Sequence, residues 1–347
     1  MRKVRIQQLL LVIKGENMKS IYLFNSGTLK RKDNTLVLEN EETGKKYIPV
    51  ENVNDIKVFS EITLNKRILE FLSQNQIPVY FFNHFGHFSG SFMPNQHHSN
   101  GCTILKQAEH YMNNEKRLNI ATQFVHGAAR NMMRLIGYYQ SRGSDTEAEK
   151  NLIKHLSKDI DHANTINELM GTEAAIRKIY YQALDKIVKY DAFQMIKRDK
   201  QPPRNYMNTL ISYGNSILYA NVLTEIHKTP LDSRIGFLHA TNFRRFSLNL
   251  DIAEIFKPII VDRTILSMVN RNQIKPLDFK GVEGGIHLND NGKKKFITEY
   301  EQHLSQTIQS EKLKRKITYR TLIRHEAYKL VKHLIEDITY EPFEMKW

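Results

Sequence analysis

The residues best suited to chemistry concentrate in one block, GFLHATNFRRFSLNLDIAEIFKPIIVDR, running from Gly236 to Arg263. On a helix, Leu248, Ile252, Ile255 and Ile259 form an apolar stripe. Ser247, Asp251, Glu254 and Pro258 form the stripe beside it, so two carboxylates lie one turn apart on one face. His239 stands just upstream, with Arg244 and Arg245 between it and the helix. An imidazole and two carboxylates next to two guanidiniums are a donor set for a hard divalent ion beside a phosphate. A solvated helix face produces the same pattern, and both readings stand at this point.

Two other segments carry polar residues of interest. In ELMGTEAAIRKIYYQALDKI, Glu173 follows Gly171 and Thr172 and opens an amphipathic helix bearing Ile176, Ile179, Tyr180 and Leu184. A first-turn acid behind a Thr172 or Gly171 cap accounts for Glu173 without chemistry. Arg177 and Lys178, one turn on, are simple helical partners for it. In QPPRNYMNTLISYGNSILY, Pro202 and Pro203 break the chain before a helix with Asn208, Ser212, Tyr213 and Tyr219, which reads as a loop and a core helix. Phosphate-binding GxxxxGK[ST], dinucleotide-binding GxGxxG, HExxH, CxxC and GxSxG patterns are all absent. Nucleotide hydrolysis, dinucleotide redox chemistry and zincin proteolysis are therefore poor fits.

These residues must be positioned by a folded scaffold, and the composition supports one. The 347 residues are 41% hydrophobic and 25% charged, as in packed globular proteins. Fifty-one Lys and Arg against 37 Asp and Glu leave a net charge of +14. Such an excess points to a polyanionic partner, nucleic acid or an acidic membrane surface. No stretch approaches the ~20 apolar residues of a spanning helix, so membrane insertion is not expected. The single Cys102 excludes an internal disulfide and fits a reduced, cytoplasmic setting.

The periodicity changes once along the chain. From residue 18 to 94, SIYLF, TLVLE, YIPV, IKVF and IPVYFFN are strand-like runs separated by turn-forming clusters, with one amphipathic helix in LNKRILEFLSQ. Residues 95–103 read as a linker. Residues 104–347 are expected to be all-α, with a break near Asn113 and Asn114. The fold class is thus α+β and multidomain: a small N-terminal β domain, then a larger helical domain. Residues 1–17 fit neither part, and are read either as an added element or, preferably, as an extension upstream of a start at Met18.

Taken together and in order, these blocks resemble the CRISPR adaptation integrases, the endonuclease-fold proteins of spacer acquisition. KSIYLFNSGTLKRKDNTLVLE is similar to the family's opening hairpin. LMGTEAAIRKIYYQAL matches the segment with its first metal-binding glutamate, PPRNYMNTLISYGNSILYANV the helix between ligands, and GFLHATNFRRFSLNLDIAEIFKPIIVDR the segment with its histidine and last acidic ligand. The sequence departs from the family at Asn215, where an aromatic is expected, and at Arg130-Asn131, where a basic pair is expected.

The resemblance implies a metal site of Glu173, His239 and Glu254 holding Mg²⁺ or Mn²⁺, with Asp251 as a further acidic member of the catalytic set. It also implies a homodimer and a small ferredoxin-like adaptation protein as partner. The substrate would be double-stranded DNA, both a short spacer precursor and the CRISPR array. The reaction would be attack of a spacer 3′-hydroxyl on a phosphodiester, with Arg177, Arg244 and Arg245 as phosphate contacts or solvated charges. Two alternatives are a structure-selective metal-dependent endonuclease using water, and a non-catalytic DNA-binding scaffold that needs no metal ligands.

Overall fold

The computed structural model describes residues 18–40, 44–95, 100–199, 202–239, 246–282, 284–310 and 314–346. The chain divides into two compact units, residues 1–96 with 307–321, and residues 97–306 with 322–347. Residues 1–17 and residues 96–99 of the expected linker lie outside the described residues, while residues 101–103 of that linker are already helical. Residues 307–321, expected within the helical domain, cluster with the first unit instead.

In the first unit, β1 (Lys19–Leu23), β2 (Gly27–Lys32), β3 (Thr35–Asn40), β4 (Gly44–Pro49), β5 (Val53–Val58) and β6 (Ile62–Thr63) precede α1 (Lys66–Gln74), β7 (Val79–Phe82) and β8 (Phe88–Phe92). They form two four-stranded sheets, ordered β1-β5-β7-β8 and β4-β3-β2-β6. Leu29, Leu36 and Leu38 of the second sheet meet Ile56, Val58 and Val79 of the first, with Ile68, Phe71 and Leu72 of α1, in one core. Asn65 caps α1 by accepting the Ile68 amide at 3.1 Å. Only Leu29 of the strand GTLKRK is buried, so its apolar signal is weak and the antiparallel pairing with β3 decides it.

Every residue of β5 is buried. Its second face carries charge: Asp55 accepts from Ser20 at 3.0 Å and from Asn54 at 2.9 Å, and is ion-paired with Lys57. Arg320, from the C-terminal part of this unit, donates to Ser20 at 3.1 Å and lies 3.8 Å from Asp55. A buried carboxylate persists as a charge only with such partners, which explains why a distant segment folds into the N-terminal unit.

The second unit is mostly helical: α2 (Gly101–Met112), α3 (Asn114–Gln140), α4 (Glu147–Leu156), α5 (Ile166–Ile187), α6 (Tyr206–His227), α7 (Leu248–Phe256) and α8 (Arg263–Asn270). Beyond them β9 (Phe279–Val282) and β10 (Gly285–Leu288) pair as an antiparallel ribbon before α9 (Asp290–Leu304), so the expectation of an all-α domain is corrected by one hairpin. In the first unit β11 (Thr307–Ser310) and β12 (Arg315–Thr318) form another, and α10 (Tyr319–Glu336) then enters the second unit. Asn113 ends α2 and caps α3, accepting the Lys116 amide at 2.9 Å, at the break expected there. Asn205 does the same for α6 after the two prolines, accepting from Asn208 at 2.8 Å.

Candidate active site

Three segments of the helical unit build the site: α5, the loop that follows α6, and α7. The helix bearing Glu173 starts earlier than its sequence suggests. Thr165 is the N-cap, accepting the Glu168 amide at 3.2 Å, while Glu168 reaches back to the Asn164 amide at 2.8 Å. Gly171 lies inside the helix, so Glu173 is a mid-helix residue and not a first-turn acid.

Helix α7 is buried over nearly its whole length: Asp251 is fully buried and Glu254 is 5% exposed. The solvated-face reading of this stripe is thereby overturned. After Phe256 the helix widens into a π turn, Lys257–Asp262, that includes Pro258 and leads directly into α8. Proline removes a helical hydrogen bond, and such π segments recur at functional sites.

Arg177 joins the two glutamates. Its Nε donates to Glu173 Oε1 at 2.6 Å, and its NH2 is ion-paired with Glu254 Oε2. Lys257 holds the other Glu254 oxygen. Burial alone would raise the Glu254 carboxyl, but the charges of Arg177, Lys257 and His239 hold it down at about 2. Arg177, expected at a phosphate, thus faces carboxylates here, and its side chain is only 15% exposed.

His239 is placed by Asp251. The Asp251 carboxylate accepts the amides of Phe237 at 2.6 Å, Leu238 at 3.1 Å and His239 at 2.9 Å, and the His239 Nδ1 at 2.8 Å. Gly236 permits this wrap, because a Cβ there would sit 2.8 Å from Asp251 Oδ2 and from the Ser247 carbonyl carbon. With Nδ1 bonded to a carboxylate, Nε2 is the nitrogen left to act as a ligand, a pairing common behind metal-binding histidines. Burial disfavours the imidazolium, yet the Asp251 hydrogen bond and the Asp251 and Glu254 charges raise its pKa above 6.5.

Glu173, Arg177, Glu254, Lys257, His239 and Asp251 are therefore one connected electrostatic set. Two carboxylates and an imidazole nitrogen suit Mg²⁺ or Mn²⁺ in kind. Among the described residues, however, no group of three or more His, Cys, Asp or Glu is arranged as a ready-made metal site. Arg177 and Lys257 hold the Glu254 oxygens that a metal ion would use. Arg244 and Arg245 lie outside the described residues.

Lys257 was not singled out in the sequence, although its position three residues after Glu254 on the acidic helix is a readable signal. Asp262 was also missed. It is buried, accepts the Tyr180 hydroxyl at 2.8 Å, and burial pushes its pKa up to about 6 against that bond and nearby cations. A raised carboxyl pKa means the folded state favours the protonated form, so this group's stabilisation fades as pH rises through that value. The Asp262→Asn variant is expected to gain stability over the parent between pH 4 and pH 7, by on the order of 3 kcal/mol. Urea melts of both proteins across that range check it, and parallel stability curves would remove the raised carboxyl from the account.

The departures from the family pattern have structural explanations in one case. Asn131 is fully buried and donates to the carbonyls of Ile255 and Phe343, both at 2.9 Å, while accepting the Met345 amide at 2.8 Å. It fastens the C-terminal tail to α7. On α6, Asn208 and Ser212 accept from Arg198 at 2.9 and 3.0 Å, and Tyr213 packs edge-on against Phe296. These polar residues serve the core, as the plain reading of that helix expects.

A small β unit followed by a larger, mostly helical unit is the architecture of the CRISPR-associated Cas1 proteins. The chain belongs to that family: the family model described as CRISPR associated protein Cas1 matches residues 21–302. It is 49% identical over 329 residues to "CRISPR-associated endonuclease Cas1 2" of Thermodesulfovibrio yellowstonii, covering 95% of this chain and 99% of that protein. The solved structure of a CAS1 protein from Thermotoga maritima superposes with a TM-score of 0.86 at 48% identity, covering 94% of this chain and all of that one. A casposase bound to integration product shares the fold, with a TM-score of 0.83, 20% identity and 95% coverage of each chain. Among the described residues, no helix is long and apolar enough to cross a membrane.

Proposed function

We propose that this protein is a metal-dependent DNA integrase of CRISPR spacer acquisition, inserting short duplex DNA into a CRISPR array. The observation that carries the reading is the convergence of Glu173 and Glu254 on one guanidinium, with His239 oriented by Asp251 beside them. Glu173, Glu254 and the His239 Nε2 would hold Mg²⁺ or Mn²⁺. A divalent ion there supplies a lowered pKa for the attacking hydroxyl and neutralises charge on the phosphate. Arg177 and Lys257, which hold the Glu254 oxygens here, would give them up to such an ion and would then be available to pair with phosphate. Asp251 keeps the His239 Nδ1 proton in place and so keeps Nε2 available. The protein would act as a homodimer in the cytoplasm with a small ferredoxin-like adaptation protein, on double-stranded DNA bound through its positive excess.

The nucleophile separates this reading from a water-using nuclease. A labelled duplex with free 3′-hydroxyls is expected to join covalently to array DNA when divalent metal and the partner protein are present. Dideoxy 3′ ends should eliminate joining, and EDTA should stop it while sparing most DNA binding. Target cleavage at full rate with blocked ends would establish water as the nucleophile and install the endonuclease reading. Joining that persists in EDTA would remove the metal from the mechanism.

A further inference from the structure

A second basic site lies in the helical unit and shares no lining residue with the carboxylate set. Between the C-terminal half of α3 and α4 is a cleft of about 780 Å³ lined by Arg130, Arg134, Arg142, Lys150 and Lys154 against a single carboxylate, Glu344. The spacing is regular. Arg130, Arg134, Tyr138 and Arg142 recur every four residues along α3 and just past its end, and Lys150 and Lys154 repeat it on α4. Two basic stripes therefore border one groove.

The groove is organised by its own contacts. Arg142 stacks 3.6 Å from the Tyr138 ring centroid and Arg263 lies 5.4 Å from it, so the ring holds two guanidiniums. Arg134 is held by Glu344, with Nε at 2.9 Å and NH2 at 2.5 Å. Gly137 gives room for Lys150, since a Cβ there would lie 3.1 Å from its ammonium. Arg130 and Lys154 are exposed and have no ion pair among the described residues. Gathering like charges along a groove is unfavourable unless an anion joins them.

We infer that this groove grips the phosphate backbone of a DNA strand, through residues other than those of the Glu/His/Glu set. The inference rests on the integrase reading and adds to it a specific strand-holding surface. Arg130 to Tyr138 spans about 12 Å of helix, long enough to follow a strand across more than one of its phosphates. A free phosphate would need only a compact cluster; the extended stripe fits a polymer. Base stacking is not the mode, because Tyr138 is already covered by guanidiniums.

The test uses the full chain and a fluorescent duplex with single-stranded 3′ ends, titrated across a salt series. Removing one cation that pairs with a phosphate lowers the slope of log affinity against log salt by about 0.9. The Arg130→Ala/Lys154→Ala variant should therefore show a slope shallower by about 1.8 and bind about tenfold or more weakly near physiological salt. A control removing the same charge elsewhere, Lys294→Ala/Lys332→Ala, should leave the slope near that of the parent. Equal effects of the two pairs, or none from the first, would overturn the inference. So would a variant that loses calorimetric binding of inorganic pyrophosphate but keeps the parent's DNA slope, which would assign the groove to a free phosphate. Joining activity in the parent separates the two ideas. A parent that joins DNA with an unaltered slope in the variant defeats the groove alone, whereas a shallower slope in a protein that never joins DNA defeats the integrase reading alone.

Discussion

Glu254→Ala is expected to abolish strand joining, with a fall of roughly a thousandfold or more, the several kcal/mol that one metal ligand represents at about 1.36 kcal/mol per decade. Glu173→Ala and His239→Ala should behave alike, because the three side chains form the proposed donor set. DNA affinity should survive in all three, since it comes from many dispersed Lys and Arg side chains. The structure adds a condition for Glu254. Its carboxylate neutralises Arg177 and Lys257, each nearly buried, so alanine leaves two cations unpaired and costs stability as well. Glu254→Gln keeps an acceptor and is the cleaner variant. Joining assays should show it inactive, with duplex affinity within a few-fold of the parent and weakened Mn²⁺ binding. Parental joining rates in any one of these variants would remove that residue from the proposed set.

Asp251→Ala should be nearly as damaging, through a different cause. The family resemblance implies Asp251 only as a further acidic member beside the three ligands, from which a milder effect than theirs is expected. In the structure it accepts three backbone amides and the His239 ring. Removing the carboxylate leaves buried N–H groups without acceptors, at about 1–3 kcal/mol each, so a total destabilisation on the order of 3–5 kcal/mol is expected. His239 would also lose the bond that fixes its ring. Asp251→Asn retains the shape and part of the bonding, and should fold better than the alanine variant while still joining DNA poorly. Denaturant melts and joining assays on both variants check this. A melting temperature within a degree or two of the parent, with at least half its joining rate, would show that Asp251 is not the anchor described.

Local patterning made several parts of this protein readable. Short strand-like runs and the turn clusters between them mark β1, β3, β5 and β7. Asparagines cap helices where the periodicity breaks, at Asn113 and Asn205. The block from Gly236 to Arg263 carries its histidine, its acidic stripe and its apolar stripe in plain order, because a helix places residues three and four apart on one face. The family resemblance rests on such local blocks, and so does the selection of Glu173, His239 and Glu254.

What the tertiary structure decided is who pairs with whom. The side chain that meets both glutamates is Arg177, an ordinary helical neighbour of Glu173 in sequence, 77 positions from Glu254. Asp251 is buried under a loop from upstream of its own helix, and Arg320 joins a charge cluster 300 positions from Ser20. The assignment of residues 307–321 to the N-terminal unit has the same origin. Sequence periodicity reports which face of an element is apolar, through spacing along one chain segment. The partners of a charge are chosen by the requirement that buried charges be matched, and that match is made across segments whose separation in sequence carries no trace of their meeting.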